Sequence, residues 1–587
     1  MTNPFTTLTN LILHVGQTHR NPAALSYKKD GAWISISTAE MMDTVRKVGA
    51  GLLELGLKPG DRLGIMADPS PFWLMMDLAA LGCGAVTVPL FPNVAPENLH
   101  YEIQDSGMRF LFVSSEAQLS TLQPCPKSIE GILALPKALE LQGCVSWEML
   151  LLIGAKRLEN QPGEWDASAR AVKEEDTATL IYTSGSTGIP KGVELTHRNL
   201  VSQVVGTSIR FPLDPQKDRL LSCLPLAHVL ERIGSYYYLS TGTSLYFVED
   251  IKKVGDDLRE VRPTVIILVP RLLEKMYAKM QLGVETSAGL KKRLARAAFR
   301  RAQEKSPTSA PTPLDKVFDA LVYRKMRASL GGCLRLAISG GAPLDPNLYG
   351  FFLNIGLPVY EGYGLTEASP VVAANFPGHR KVGTVGIPYP EVEVRIAEDG
   401  EILARGAGIM KGYYGKPEET TQTVDAEGWL HTGDLGQLDG EGYLRITGRK
   451  KELFKTANGK YVAPVPIEQA IGTHKLVDMV LVIAEGRPFV TALLFPNMEG
   501  LQAWKQELGH EDMEDTAFLR SEKASAALRQ IVEDVNAKLN HWEKIRKFHL
   551  AERTLSIGAG ELTPTLKIRR HIVEEKFRPQ IDSFYAG

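Results

Sequence analysis

Ten consecutive residues, Thr183-Ser184-Gly185-Ser186-Thr187-Gly188-Ile189-Pro190-Lys191-Gly192, follow directly on the apolar, strand-like run Thr179-Leu180-Ile181-Tyr182. Glycines let backbone N–H groups approach a polyanion, the hydroxyls add donors, and Lys191 adds a mobile positive charge. The chemistry this composition suits is the holding of phosphate groups. It is not a Walker A loop, which needs Gly-Lys-Ser/Thr contiguous, because Ile189 and Pro190 separate Gly188 from Lys191. Three glycines alone would also make an ordinary turn; ten suitable residues in a row after a strand point to phosphate.

The stretch YTSGSTGIPKGVELTHRNL resembles the signature of the adenylate-forming superfamily, which comprises acyl-CoA synthetases, luciferases and adenylation domains of peptide synthetases. Those enzymes activate a carboxylate with ATP, so an anion attacks an anion. Such a site must neutralise charge, position both reactants and stabilise a pentavalent transition state, and departing pyrophosphate favours Mg²⁺. Further motifs fit these needs. Within YEGYGLTEASP, the resemblance assigns Tyr363 to adenine stacking, Thr366 to phosphate and Glu367 to Mg²⁺, with Glu361, Gly362, Gly364 and Leu365 lining the nucleotide. An aromatic face, a hydroxyl and a carboxylate suit those jobs. Gly340, Gly341 and Ala342 resemble the adenine-lining loop. Asp434 in EGWLHTGDLG resembles the ribose-binding acid, an ionised acceptor suited to a diol. Arg449 matches an arginine placed near ribose, and Lys451 the interdomain hinge. Lys567, in LTPTLKIRR, matches the lysine that bridges carboxylate and α-phosphate, a compact ammonium on a flexible stem. Thr183, Lys191, Glu367 and Lys567 are therefore the expected catalytic set, and Thr183, Ser184, Gly185, Ser186, Thr187, Gly188 and Lys191 the phosphate contacts. His228 and Arg232, in LPLAHVLER, align with the segment lining the acyl pocket. Some bacterial long-chain enzymes place a gating tryptophan where this sequence has Arg232, so an indole gate is not expected.

The elements that must hold these loops show in the alternation of strand-like and helical runs. Apolar runs at Arg62 to Met66, Ala85 to Val88, Arg109 to Val113, Thr243 to Val248, Val265 to Val269 and Leu334 to Ile338 alternate with helical patterns, the grammar of layered α/β folds. Several end in Gly/Pro/Ser-rich loops, at the strand ends where open α/β sheets bind ligands. With 587 residues the chain exceeds one hydrophobic core. We expect a large, layered, mostly parallel N-terminal domain over 1–448 and a small α+β C-terminal domain over 449–587, the adenylate-forming enzyme fold. The smaller region shows two strand-like runs, Val477 to Ile483 and Phe489 to Phe495, then helical sequence to about residue 540. No internal repeat is visible.

Composition narrows the partners. A net charge of −1 gives no global pull toward nucleic acid, so an anionic ligand needs local cations. Five scattered cysteines without a CxxC pair speak against disulfide or zinc frameworks and fit a reducing cytoplasm. The sequence opens without a basic stretch followed by a long apolar core, so no secretory signal is expected. Phe72 to Leu90 carries Asp77, Gly82, Gly84 and Pro89 and reads as a buried helix followed by a strand, not a membrane span. Residues 290–305 carry seven basic residues and one acid on a helical pattern. A solvated helix face explains them, and so does peripheral contact with anionic headgroups at the inner membrane surface or with an acidic carrier protein.

The motifs look most like long-chain fatty acyl-CoA synthetases. The resemblance implies two steps: fatty acid and MgATP give acyl-AMP and pyrophosphate, then the thiol of coenzyme A displaces AMP while the C-terminal domain turns about Lys451. Acyl carrier protein as acceptor, a luciferase-like oxidase and a non-catalytic acyl or nucleotide sensor stay open at this level. So do acyl length and oligomeric state, a homodimer included.

Overall fold

In the computed structural model, which describes residues 5–135, 144–184, 189–450, 453–472, 474, 476–563 and 567–586, contacts divide the chain into two units. One comprises 1–432 with 437–445, the other 433–436 with 446–587.

The larger unit is organised by two sheets whose cores have the same strand order. In one, parallel strands lie in the order Val86–Leu90, Arg62–Met66, Phe110–Val113, Gly131–Ala134, Cys144–Ser146. In the other the order is Ser244–Phe247, Arg219–Ser222, Val265–Leu268, Leu336–Ser339, Val359–Gly364. Ranked by chain position, each set reads 2-1-3-4-5, a doubly wound arrangement that binds ligands outside the carboxyl ends of its strands. This duplicated topology has no counterpart as a repeat in the sequence. Parallel strands buried on both faces read as continuous apolar runs, so their existence shows in the sequence while their ends drift. The last run, expected at Leu334 to Ile338, forms Leu336–Ser339.

Each core sheet is extended by strands that bear on function. Thr177–Ser184 adds parallel to Val86–Leu90, then turns back antiparallel as Pro190–Thr196, and Gly412–Tyr413 closes that edge. Leu25–Lys29 and its hairpin partner Ala32–Ile36 extend the other sheet. The apolar stretch after Phe72 forms the helix Pro71–Gly82, capped by the Ser70 hydroxyl, and the buried strand Val86–Leu90. Helix packing there depends on two glycines. A Cβ on Gly49, in the helix Thr38–Glu54, or on Gly82 would lie 2.1 Å from the Trp165 ring, which inserts between these two helices and donates its indole N–H to the Ala79 carbonyl at 3.0 Å. Among the described residues no helix is long and apolar enough to cross a membrane.

The smaller unit is built on the antiparallel pair Val477–Ile483 and Val490–Pro496, with Ile545–Leu550 added parallel to the second. Val480 and Val482 face one apolar cluster with Ile467, Leu528 and Phe518, whereas Leu481 and Ile483 face another with Val573, Phe577 and Ile581. Burial on both faces explains the unbroken apolar run. The third strand, IRKFHL, was not expected, because its exposed Arg546 and Lys547 mask the alternation.

Candidate active site

The hairpin of Thr177–Ser184 and Pro190–Thr196 sets Thr183 and Lys191 opposite one another as paired residues. Its tip, Gly185, Ser186, Thr187 and Gly188, lies outside the described residues, as does the side chain of Ser184. The Lys191 ammonium stands 2.5 Å from Glu419 Oε2 and 5.1 Å from the ring centre of Tyr413. Tyr413 also donates its phenolic hydrogen to Glu367 Oε1 at 2.9 Å. One phenol thus neighbours both the cation and the carboxylate of the expected catalytic set. Burial, then the Glu367 charge, pushes the Tyr413 phenol well above its ordinary range, so it stays a donor. Lys191 holds the Glu419 carboxyl below the usual carboxylate range.

Backbone pairing fixes this arrangement. Tyr413 lies opposite Val193, the Tyr414 N–H reaches the Gly192 carbonyl at 2.8 Å, and the Met410 N–H reaches the Glu367 carbonyl at 2.8 Å. Glu419 follows on the helix Pro417–Thr423, whose Thr420 hydroxyl accepts from the Tyr413 N–H at 2.9 Å. Sequence reasoning missed Tyr413 and Glu419. KGYYGKPEET contains no phosphate-loop or metal pattern, and only strand pairing brings it to Lys191.

The other expected loops follow the carboxyl ends of the second sheet. Gly340, Gly341 and Ala342 follow Leu336–Ser339; Gly362, Tyr363 and Gly364 end the strand Val359–Gly364; Leu365 and Thr366 lead into the short turn Thr366–Ala368. Glu361 is buried, and its carboxyl accepts the Leu344 N–H at 3.0 Å, bracing the loop that begins at Gly340. Burial raises this carboxyl to about 8 against the opposing backbone hydrogen bond. A Cβ on Gly364 would lie 1.9 Å from the Pro370 carbonyl oxygen, so no larger residue fits at that bend. Tyr363 and Leu365 rest on the apolar cluster of Ala368, Val372, Ala404 and Leu430. Thr432 donates its hydroxyl to the Ile402 carbonyl at 2.7 Å.

His228 caps the helix Val229–Thr241, its Nδ1 accepting the Leu230 N–H at 3.2 Å. One turn on, Arg232 is buried inside the unit. Its guanidinium pairs with Asp77 at 2.5 Å and donates to Thr87, Thr179 and Tyr236 at 2.6, 2.8 and 2.7 Å. Burial disfavours this charge, and Asp77 with Tyr236 outweighs it, leaving the guanidinium above its ordinary range. Arg232 therefore anchors its helix to the strand that carries Thr183, with 1% of its side chain exposed.

In the smaller unit the buried carboxyl of Asp434 accepts from Arg449 Nε at 2.8 Å, joining the two expected ribose contacts. Lys567 is exposed; its N–H donates to the Thr563 hydroxyl at 3.0 Å and its carbonyl accepts from the Thr563 N–H at 2.8 Å. Lys451 lies outside the described residues. The larger unit thus offers the Lys191 cation, hydroxyls and the Glu367 carboxylate, with Glu419 paired to Lys191, beside glycine-lined strand ends. That set can neutralise and position a polyphosphate.

Comparison with known proteins places this arrangement. A family model described as AMP-binding enzyme matches residues 14–414, and its C-terminal domain model matches 452–587. The chain is 38% identical over 566 residues, 95% of its length and 93% of the relative's, to the long-chain-fatty-acid–CoA ligase FadD15 of Mycobacterium bovis. It is 32% identical to human long-chain-fatty-acid–CoA ligase 6, covering 95% of this chain and 83% of that one. Among solved structures, the A domain of a carboxylic acid reductase from Segniliparus rugosus, in complex with AMP and a carboxylic acid, superposes with a TM-score of 0.75 at 22% identity, over 100% of this chain and 95% of that one. The O-succinylbenzoate coenzyme A synthetase of Bacillus subtilis gives 0.67 at 19% identity, over 96% and 97%. These structural neighbours share the fold. With both family models matched in order and relatives aligned over nearly the whole sequence, the chain belongs to the AMP-binding enzymes, the adenylate-forming superfamily.

Proposed function

We propose that the protein is an AMP-forming long-chain fatty acid–CoA ligase. A fatty carboxylate attacks the α-phosphorus of ATP, pyrophosphate leaves, and the thiol of coenzyme A then attacks the acyl carbon and expels AMP. The observation that supports the phosphate chemistry is that Lys191 and Glu367 share Tyr413 as a neighbour, one near its ring and the other on its hydroxyl. The acyl substrate and the choice of coenzyme A as acceptor rest on the relatives, which carry both in their names.

In this reading Lys191 and the hydroxyls of Thr183 and Thr366 neutralise and hold the phosphates, lowering the cost of bringing two anions together. A carboxylate held by a phenol fits Mg²⁺, which arrives on a triphosphate and needs only one or two protein carboxylates. Glu367 would hold it, and the ion would supply positive charge to the departing pyrophosphate. Tyr363 and the loop from Gly340 receive the adenine, Asp434 and Arg449 the ribose. His228 orients the fatty carboxylate, and Arg232 acts through the helix it anchors. Lys567 bridges the carboxylate and the α-phosphate during the first step. The functional division is taken at 448/449, with Lys451 as the hinge.

The half-reactions test this. Wild type should release pyrophosphate only with a fatty acid present and form acyl-CoA once coenzyme A is added. Lys567→Ala should abolish adenylation while thiolation of supplied acyl-AMP survives. Absence of carboxylate-dependent pyrophosphate exchange in wild type would overturn the ligase reading, and equal loss of both steps in the variant would overturn the role of Lys567.

A further inference from the structure

Two neighbouring helical segments of the larger unit turn an unusual face outward. The helix Gly289–Glu304 buries Ala298, Phe299 and Ala302. Beside it, Pro313–Phe318, Asp319–Tyr323 and Arg324–Ala328 run on continuously and bury Phe318, Val322, Tyr323 and Met326. The Tyr323 hydroxyl donates to the Ala298 carbonyl at 2.8 Å, and Asp315 pairs with Arg301 and Lys305 at 3.0 and 2.8 Å, so the two segments lie side by side and antiparallel.

The outward positions are not those of a solvated face. Leu314, Val317 and Leu321 recur at i, i+3 and i+7, each about half exposed, and Leu290 is 82% exposed. The same two segments expose Lys291, Arg293, Arg300, Lys316, Arg324 and Lys325. Except for Lys292, Arg296, Arg301, Lys305 and Arg327, which are held by Glu285, Asp315 and Asp319, the cations here make no ion pair among the described residues. Glu304 is the acidic exception. Apolar side chains kept in water at helical spacing, on segments that also expose uncommitted cations on long apolar stems, have the chemistry that sinks into the headgroup boundary of an anionic bilayer.

We propose that this face docks the protein on an anionic lipid surface, with Leu314, Val317 and Leu321 entering the boundary and the exposed Lys and Arg side chains of the two segments contacting headgroup phosphates. A second copy fits badly, because a two-fold contact would set this cationic face against itself. An acidic protein fits less well, because the face shows none of the aromatic residues that anchor protein interfaces. The proposal concerns location and stands apart from the choice of acyl substrate.

The test uses the full chain and vesicles of phosphatidylcholine alone or mixed with phosphatidylglycerol. Wild type should sediment with the mixed vesicles, release with salt, and leave neutral vesicles largely unbound. Two triple variants, Lys291→Glu/Arg293→Glu/Arg300→Glu and Leu314→Ser/Val317→Ser/Leu321→Ser, should each lose binding by about tenfold or more. Both should keep their melting temperature and their pyrophosphate release from fatty acid in solution. No binding by wild type, equal binding to neutral vesicles, or variants that bind like wild type would overturn the proposal. So would variants that bind vesicles normally but lose capture of purified acyl carrier protein or a dimer seen on gel filtration.

Discussion

Removing one oxygen, by Tyr413→Phe, tests the arrangement at the candidate site. The phenol donates to Glu367 at 2.9 Å, and its ring lies 5.1 Å from the Lys191 ammonium. Phenylalanine keeps the ring and its packing, so the substitution isolates the hydrogen bond. A bond to a charged acceptor contributes about 1.5–3 kcal/mol. Glu367 is only half-buried, so water recovers part of this, and a loss of about 1–2 kcal/mol is expected. That corresponds to a fall of about five- to thirtyfold in kcat/KM for MgATP. The loss should come from a carboxylate free to swing, so more Mg²⁺ should be needed for half-maximal rate while the KM for fatty acid holds. The assay is fatty acid-dependent ATP–pyrophosphate exchange across a Mg²⁺ titration, with melting temperature as the control for folding. Tyr413→Leu, which also takes the ring from Lys191, should lose more. A Phe variant that superposes on wild type at every Mg²⁺ concentration would show that the Tyr413–Glu367 contact has no part in the chemistry.

Other predictions follow from the packing. Arg232→Met leaves Asp77 charged and buried without its partner and should cost about 3–5 kcal/mol in urea unfolding. Adding Asp77→Leu should recover part of that, and strict additivity of the two single changes would refute the coupling. Gly364→Ala should fail to fold normally or lose adenylation, since its methyl would meet the Pro370 carbonyl at 1.9 Å; a fully active, equally stable variant would refute the tight bend. Glu361 holds its proton up to about pH 8 in the folded protein, against an ordinary 4.5. Between those values the folded state binds a proton that the unfolded state has released, so its contribution to stability falls as pH rises. Glu102 and Glu231 act with the same sign. Glu361→Gln should flatten the decline by one proton's worth, and unchanged slopes in denaturant titrations across that range would refute the burial argument.

Local pattern was enough for much of this protein. The order of the glycine-hydroxyl loop, YGLTE, TGD and the late LTPTLK segment is a property of the chain itself, and it carries the family. The alternation of apolar runs with helical spacing likewise gave the layered α/β class, because a strand buried on both faces must be apolar throughout. Tertiary structure decided what depends on pairing across long separations. Nothing near Gly412 marks Tyr413 as the neighbour of Lys191; backbone pairing with Val193 does. The repeated strand order leaves no sequence trace, since topology records which strands are adjacent and each can be built from different apolar residues. Arg232 resembled a pocket residue by motif, and only the approach of the helix carrying Asp77 made it an internal anchor. Leu314, Val317 and Leu321 follow the same rule in reverse: periodicity gives the stripe, and the packing of Tyr323 against Ala298 turns it outward.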